Sequence, residues 1–199
     1  MQITQIETTG KKCRIYLNDE PAFLLHPSEV RSLKLTEGEE LAPEVREKIF
    51  GEILTKRARL RCMHILKSMD KTEFQLRQKL LQEEYPEEIV EDALEYVKSY
   101  RYVDDARYAA NYISSKASVK SRLQLKTDLL SKGIRADIVE TALEELTQED
   151  ELEQIRGWIR KKRYDPQTAG EEEKNALIRF LMRKGFSYGM IKNALTDNF

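Results

Sequence analysis

Glycine and proline are scarce in this chain of 199 residues, at 8 and 5, and aromatic residues make up only 8% of it. Few turn formers and few rings favour a helical protein with much exposed surface. Cysteine is nearly absent: Cys13 and Cys62 form no CxxC pair and no disulfide framework, which fits a reducing compartment. With only His26 and His64, there is little scope for proton transfer near neutral pH. Cys62 and His64 lie two apart and face different ways on a helix, so no metal site is expected. No apolar run approaches membrane-spanning length, and the N-terminus lacks the basic-then-apolar pattern of a signal peptide. A cytoplasmic, soluble protein without membrane contact is expected.

An excess of charge is also missing. Lys and Arg number 34 against 35 Asp and Glu, so no global field draws nucleic acid or a membrane. Any such contact needs a local basic face. Gly-rich phosphate loops, HExxH and GxSxG do not occur. Glu83-Glu84, Glu87-Glu88 and Glu171-Glu172-Glu173 are charge runs of the kind found on solvated faces and at helix N-termini. No nucleophile–base constellation is present, so no catalytic residue, cofactor or metal is expected, and the chain reads as a non-enzyme.

What is present falls into two parts. Residues 3–25 alternate at the strand period, with turns at Thr9-Gly10-Lys11-Lys12 and Asn18-Asp19-Glu20-Pro21. They predict a small antiparallel meander that must lean on its neighbour. Ser28 is a plausible N-cap for a short helix to about Leu35, and Gly38 breaks it. From Glu44 to about Lys67, Val45, Ile49, Ile53, Ala58, Cys62, Ile65 and Leu66 form one helical stripe.

The rest is a repeat. Leu76, Leu80, Leu81, Ile89, Val90, Ala93 and Leu94 return as Leu125, Leu129, Leu130, Ile138, Val139, Ala142 and Leu143. They return again as Leu177, Leu181, Met182, Met190, Ile191, Ala194 and Leu195. Each copy is a helix, a tight turn and a second helix. Gly133-Ile134 and Gly185-Phe186 supply a left-handed C′ residue followed by an apolar residue that packs back. Copy one has Glu84-Tyr85-Pro86, and a left-handed Glu costs on the order of 1 kcal/mol, so a different cap is expected there. A third helix precedes each pair: about Phe50 to Lys67, Asp104 to Ala117, and Glu149 to about Arg163. Ala106 and Ile113 mirror the spacing of Ala58 and Ile65. The period is about 50 residues.

The expected fold is mainly α: three tandem three-helix repeats forming an elongated modular array, with a small N-terminal antiparallel β meander. The expected divisions are 1–43 for the β-rich extension with its short helix, then 44–101, 102–148 and 149–199 for the three repeats. Asp104 and Asp105 stand where the middle repeat begins, and capping with the helix dipole explains the pair without catalysis.

Charge is placed unevenly. Between Arg101 and Arg135 stand eight basic residues and three acidic ones, Asp104, Asp105 and Asp128. Arg156 and Arg160 to Arg163 form a second basic cluster, and Arg179, Arg183 and Lys184 a third. Lys126 aligns with Arg77, and Lys132 with Lys184. Two readings stand side by side. These are ordinary solvated helix faces, or repeated positives that track a phosphate backbone or a polymer of identical subunits. Tyr102, Tyr108, Tyr112 and Trp158 fit core packing better than base stacking.

Tyr102-Val103-Asp104-Asp105-Ala106-Arg107-Tyr108-Ala109 is similar to a Tyr-Leu-Asp-Asp-x-Arg-Phe-Ala signature. With Leu129 to Ile134 and Leu177 to Ser187, it makes the sequence resemble the RecX regulators of the recombinase RecA. The resemblance runs from about Lys56 to the C-terminus, and the strand-rich start looks like an extension carried by some members. Glu84 and the loop Tyr164 to Gly170 depart from the pattern. The resemblance implies a non-enzymatic, monomeric modulator. It would bind the RecA–single-stranded DNA filament along its groove and suppress ATP hydrolysis and strand exchange. Candidate contacts to DNA or to the recombinase are Arg107, Lys116, Arg122, Lys126, Arg156, Lys161, Arg179 and Arg183. The competing classes are a stand-alone helix-turn-helix nucleic-acid-binding regulator and a protein–protein adaptor without DNA contact.

Overall fold

The computed structural model describes residues 1–196. They divide into two compact units, Met1–Asp104 and Asp105 onward. The chain is mainly helical, with one three-stranded sheet.

The first unit opens with β1 (Ile3–Thr9), β2 (Lys12–Leu17) and β3 (Glu20–Leu25), an antiparallel meander. The second loop is Asn18-Asp19, with φ of 52° and 69°. Left-handed angles at both central residues give the turn whose twist matches a hairpin. Ile3, Cys13, Ile15, Phe23 and Leu25 face inward and are buried. They join one cluster with Ile49, Leu54, Ala58, Cys62, Leu76, Leu80, Val90 and Leu94. The Phe23 ring meets Phe50 edge-on, with centroids 5.3 Å apart. The meander thus shares its core with the first helical repeat.

Helix α1 is Pro27–Ser32. Its N-cap is His26, one turn position before Pro27, and not Ser28; the Glu29 carboxylate accepts the His26 backbone N–H at 2.7 Å. Helix α2 (Pro43–Glu47) leads into a π-helical stretch, Lys48–Leu54, and then α3 (Thr55–Ser68). One continuous α-helix was expected over this stretch. Buried Ile49 and Leu54 are five apart, whereas Leu54, Ala58 and Cys62 step by four. The wider π turn brings residues five apart onto one face. Cys62 is buried and its thiol is pushed up to about 11 by that burial, while His64 is exposed.

Helices α4 (Glu73–Gln82) and α5 (Glu87–Ser99) complete this unit. The second unit holds α6 (Asp105–Lys116), α7 (Arg122–Ser131), α8 (Ala136–Leu143), α9 (Gln148–Lys161), α10 (Glu171–Arg183) and α11 (Tyr188–Thr196). Each trio has its own small core. Ala109, Ile113, Leu125, Leu129, Val139 and Leu143 fill the middle one. Ile155, Ile159, Leu177, Leu181, Phe186 and Ile191 fill the last. The buried pair on each leading helix is Ala58/Cys62, Ala109/Ile113 and Ile155/Ile159. Ala106, matched from sequence to Ala58, is exposed, so the true equivalence is shifted by three residues.

One position of the repeated apolar pattern does not enter a core. Leu81, Leu130 and Met182 are 37%, 39% and 51% exposed. Each lies five residues after the first buried leucine of its helix, which turns it well away from the inward face.

The turn geometry repeats more closely than the sequence does. Tyr85, Ile134 and Phe186 donate their backbone N–H to Leu80, Leu129 and Leu181, five residues back. The preceding residue donates three back, which is the Schellman pattern. Gly133 and Gly185 adopt φ of 78° and 89°, and Glu84 adopts 63°. The left-handed glutamate, which a different cap was expected to avoid, is therefore present. Its carboxylate takes two bonds from the Arg14 guanidinium on β2, at 2.8 and 2.7 Å. Those bonds hold the Glu84 carboxyl below the usual carboxylate range. A tertiary ion pair thus fixes a side chain that glycine would lack. Glu84→Gly should therefore be more stable than Glu84→Ala by about 1 kcal/mol, because only the alanine keeps the left-handed penalty. Urea unfolding of both variants checks this.

Candidate functional site

The eight basic candidates separate once their partners are in view. Arg122 begins α7, and its Nη1 donates to the carbonyls of Leu143 and Leu146 at 2.9 and 3.3 Å. It closes the C-terminal end of α8, where carbonyls lack helical partners. Lys126 pairs with Glu140 across α7 and α8. Arg156 donates to Glu149 at 2.7 Å and lies 3.5 Å from Glu153, and the Glu149 bond raises its pKa. Arg107 and Lys116 on α6, with Arg179 and Arg183 on α10, are exposed.

Arg122→Ala should destabilise the second unit by about 1–3 kcal/mol, the cost of leaving buried carbonyls unsatisfied. Both bonds come from one nitrogen, so Arg122→Lys, with three donors on a shorter side chain, should restore part of this. Thermal unfolding of the two variants tests it. A pure DNA-contact role would leave both midpoints unchanged.

What the fold does gather is lysine around aromatic rings. In the last repeat, Trp158 and Phe180 meet edge-on at 5.5 Å. Lys161 Nζ and Lys184 Nζ each sit 5.0 Å from the Trp158 centroid, and Lys162 Nζ is 4.5 Å from Phe180. In the middle repeat, Lys132 and Lys120 lie 5.4 and 5.7 Å from the Tyr112 ring. Tyr112 Oη also donates to Asp128 at 2.9 Å, and Lys120 pairs with the same carboxylate. Burial alone would raise the Asp128 carboxyl, but the bonds from Lys120 and Tyr112 outweigh it and hold it low. Cation–ring contacts of this kind contribute about 0.5–1 kcal/mol at exposed sites and leave the lysine charged.

These contacts occupy equivalent places. Tyr112 and Trp158 directly precede the second buried residue of their leading helix, and Lys132 and Lys184 directly precede the left-handed glycine. The same two places in the first repeat hold Arg61 and Glu83, an ion pair at 2.6 Å. There the pair is neutral, and the bonds from Arg61 hold the Glu83 carboxyl low. The repeats therefore share a geometry but not a charge.

Of the eight candidates, only Lys161 takes part in this arrangement. Lys120, Lys132, Lys162 and Lys184 were not among them, although the alignment of Lys132 with Lys184 was the signal that could have found them. Tyr108, Tyr112 and Trp158 are half-buried against their cores, as expected, whereas Tyr102 is exposed. Among the described residues no helix is long and apolar enough to cross a membrane.

Comparison with known proteins agrees with this architecture. Three models of RecX three-helix domains match: the first over residues 58–96, the second over 104–143 and the third over 149–195. A protein named regulatory protein RecX from Caldanaerobacter subterraneus is 30% identical over 98% of each chain. Another of that name from Clostridium acetobutylicum is 27% identical over 99% of this chain and 96% of its own. A crystal structure of regulatory protein RecX superposes with a TM-score of 0.66 at 27% identity, covering 96% of this chain and 98% of that one. The thrice-repeated helical trio, its glycine-closed turns and these full-length similarities make the chain a member of the RecX family.

Proposed function

We propose that this chain is a regulator of the recombinase RecA that binds the RecA–single-stranded DNA filament and lowers its ATP hydrolysis and strand exchange. The observation that carries the reading is the pair of equivalent lysine–aromatic faces, Tyr112–Lys132 and Trp158–Lys184. A partner built of identical subunits or evenly spaced phosphates presents the same chemistry at intervals, and a repeat protein meets it with equivalent residues. Half-buried rings flanked by charged lysines suit a strand backbone or an acidic protein surface. The names of the relatives support a regulatory role.

The test is recombinase ATPase on poly(dT) with increasing amounts of this chain. ATP turnover should fall as the chain reaches stoichiometry with filament subunits, and strand exchange should fall in parallel. Unchanged turnover, together with tight sequence-specific duplex binding, would replace this reading with a stand-alone helix-turn-helix regulator.

A further inference from the structure

A second feature of the Asp105-onward unit adjoins the lysine–aromatic face of the last repeat, sharing Trp158 and Lys161 with it. A cleft of about 770 Å³ opens between α6 and α9. Gln154 reaches into its wall and is only 8% exposed. Both of its side-chain polar atoms, Nε2 and Oε1, are buried and have no hydrogen-bond partner. Among the described residues these are the two buried side-chain N or O atoms in that condition. Burying a carboxamide without partners is unfavourable, and such groups are uncommon in folded proteins.

Gly157 lies on the same cleft, one turn along α9. Glycine inside a helix is unfavourable relative to alanine. Here a Cβ would find one atom within reach, Arg160 Nη2 at 4.0 Å, so internal packing does not require the glycine. Its effect is to leave room for a main chain to approach the helix. Ala110 and Ile113 make the opposite wall apolar.

The charges on the rim decide what fits. Glu145, Asp150 and Glu153 line the cleft against Arg160 and Lys161. Arg160 is bound to Glu153 at 2.6 Å, and Lys161 lies over Trp158. With Arg160 and Glu153 paired, Glu145 and Asp150 (the latter also capping α9 through Thr147) outweigh the still-charged Lys161. The rim keeps a net negative charge that disfavours phosphate and favours a cation. A carboxamide offers one donor and one acceptor side by side, the complement of a peptide group.

We infer that this cleft receives an extended polypeptide segment of a protein partner. The Gln154 carboxamide turns outward from its buried position to pair with one main-chain N–H and C=O, an apolar side chain rests on Ala110 and Ile113, and a Lys or Arg points toward Glu145 and Asp150. The inference rests on the reading above in that the partner supplying the segment is the recombinase. It adds that the recombinase is held here through its polypeptide and not through the strand.

Two substitutions test it in the full-length chain. Gly157→Leu fills the cleft with a good helix former, and Gln154→Leu removes both orphaned atoms at similar volume. Neither is expected to lower the thermal midpoint, so lost binding would not reflect unfolding. Binding is measured by anisotropy on labelled poly(dT), bare and coated with recombinase. Each variant should bind the coated strand at least about tenfold more weakly than the parent chain, as for loss of a buried interface anchor. Affinity for the bare strand should not change. Parent-like binding to coated strand by both variants overturns the inference, and so does an equal loss on bare strand, which would make the cleft a nucleic-acid site. Failure of the parent chain itself to bind coated strand would instead sink the proposed function, and this inference with it.

Discussion

Gly185→Ala should destabilise the second unit by roughly 3–5 kcal/mol, adding a left-handed penalty to an overpacked contact. Gly185 has φ +89°, and a Cβ there would stand 2.6 Å from Ser121 Oγ and 3.4 Å from Leu123 Cβ. Ser121 has little freedom to move away. It is buried, its hydroxyl donates to the Lys184 carbonyl at 2.7 Å, and it accepts the Gln124 backbone N–H at the start of α7. One added methyl therefore strains a turn, breaks a bond between the middle and last repeats and disturbs a helix cap. Gly38→Ala is the control, since φ there is +85° but nothing lies within 4 Å of the added Cβ. It should cost only about 1–2 kcal/mol, the backbone penalty alone. Thermal unfolding followed by circular dichroism measures both, at roughly 4–8 °C per kcal/mol for a unit of this size. Equal losses in the two variants would mean that the repeat-to-repeat contact at Ser121 carries no stability.

The largest functional effect is expected from Lys132→Glu combined with Lys184→Glu. Each change gives its repeat the acidic residue that the first repeat already has at Glu83, but without the Arg61 that neutralises it there. Tyr112 and Trp158 would then face a carboxylate that their rings repel. If these faces meet phosphate or an acidic protein surface, each reversal costs on the order of 1–2 kcal/mol, or about 10²-fold in affinity together. The affinity that remains should also fall less steeply with salt, because fewer cations are engaged. Exchanging Arg61 and Glu83 for one another should leave affinity near its original value. Anisotropy on recombinase-coated and bare strands at two salt concentrations reads all of this. A double reversal that binds both as the parent chain does would remove the lysine–aromatic faces from the interface.

These experiments separate surface from scaffold among residues that look alike in the sequence. Arg122 and Arg179 are both arginines on helices of the repeat, yet the first is spent on the carbonyls of Leu143 and Leu146 and the second is exposed. Lys126 and Lys132 stand six apart on one segment, yet one is paired with Glu140 and the other lies against Tyr112. Nothing in helical spacing distinguishes them, because the partner of each comes from a different helix.

By itself the sequence determined the meander, the three helical trios and two of the three left-handed turns. Those follow from local rules: alternation for strands, three- and four-residue steps for helices, and glycine where a positive φ is needed. It also determined the family, because the pattern around Asp104 and Asp105 occurs at the right place in the repeat. Only the tertiary structure decided which charges are neutral. It set Glu84 in a left-handed turn because Arg14 reaches it from the sheet, inserted a π turn because Ile49 and Leu54 had to share a core, and left Gln154 without a partner in a cleft. The physical reason is the same in each case. Backbone preference is settled within a few residues, whereas the fate of a charge or a polar group depends on what another element brings to it.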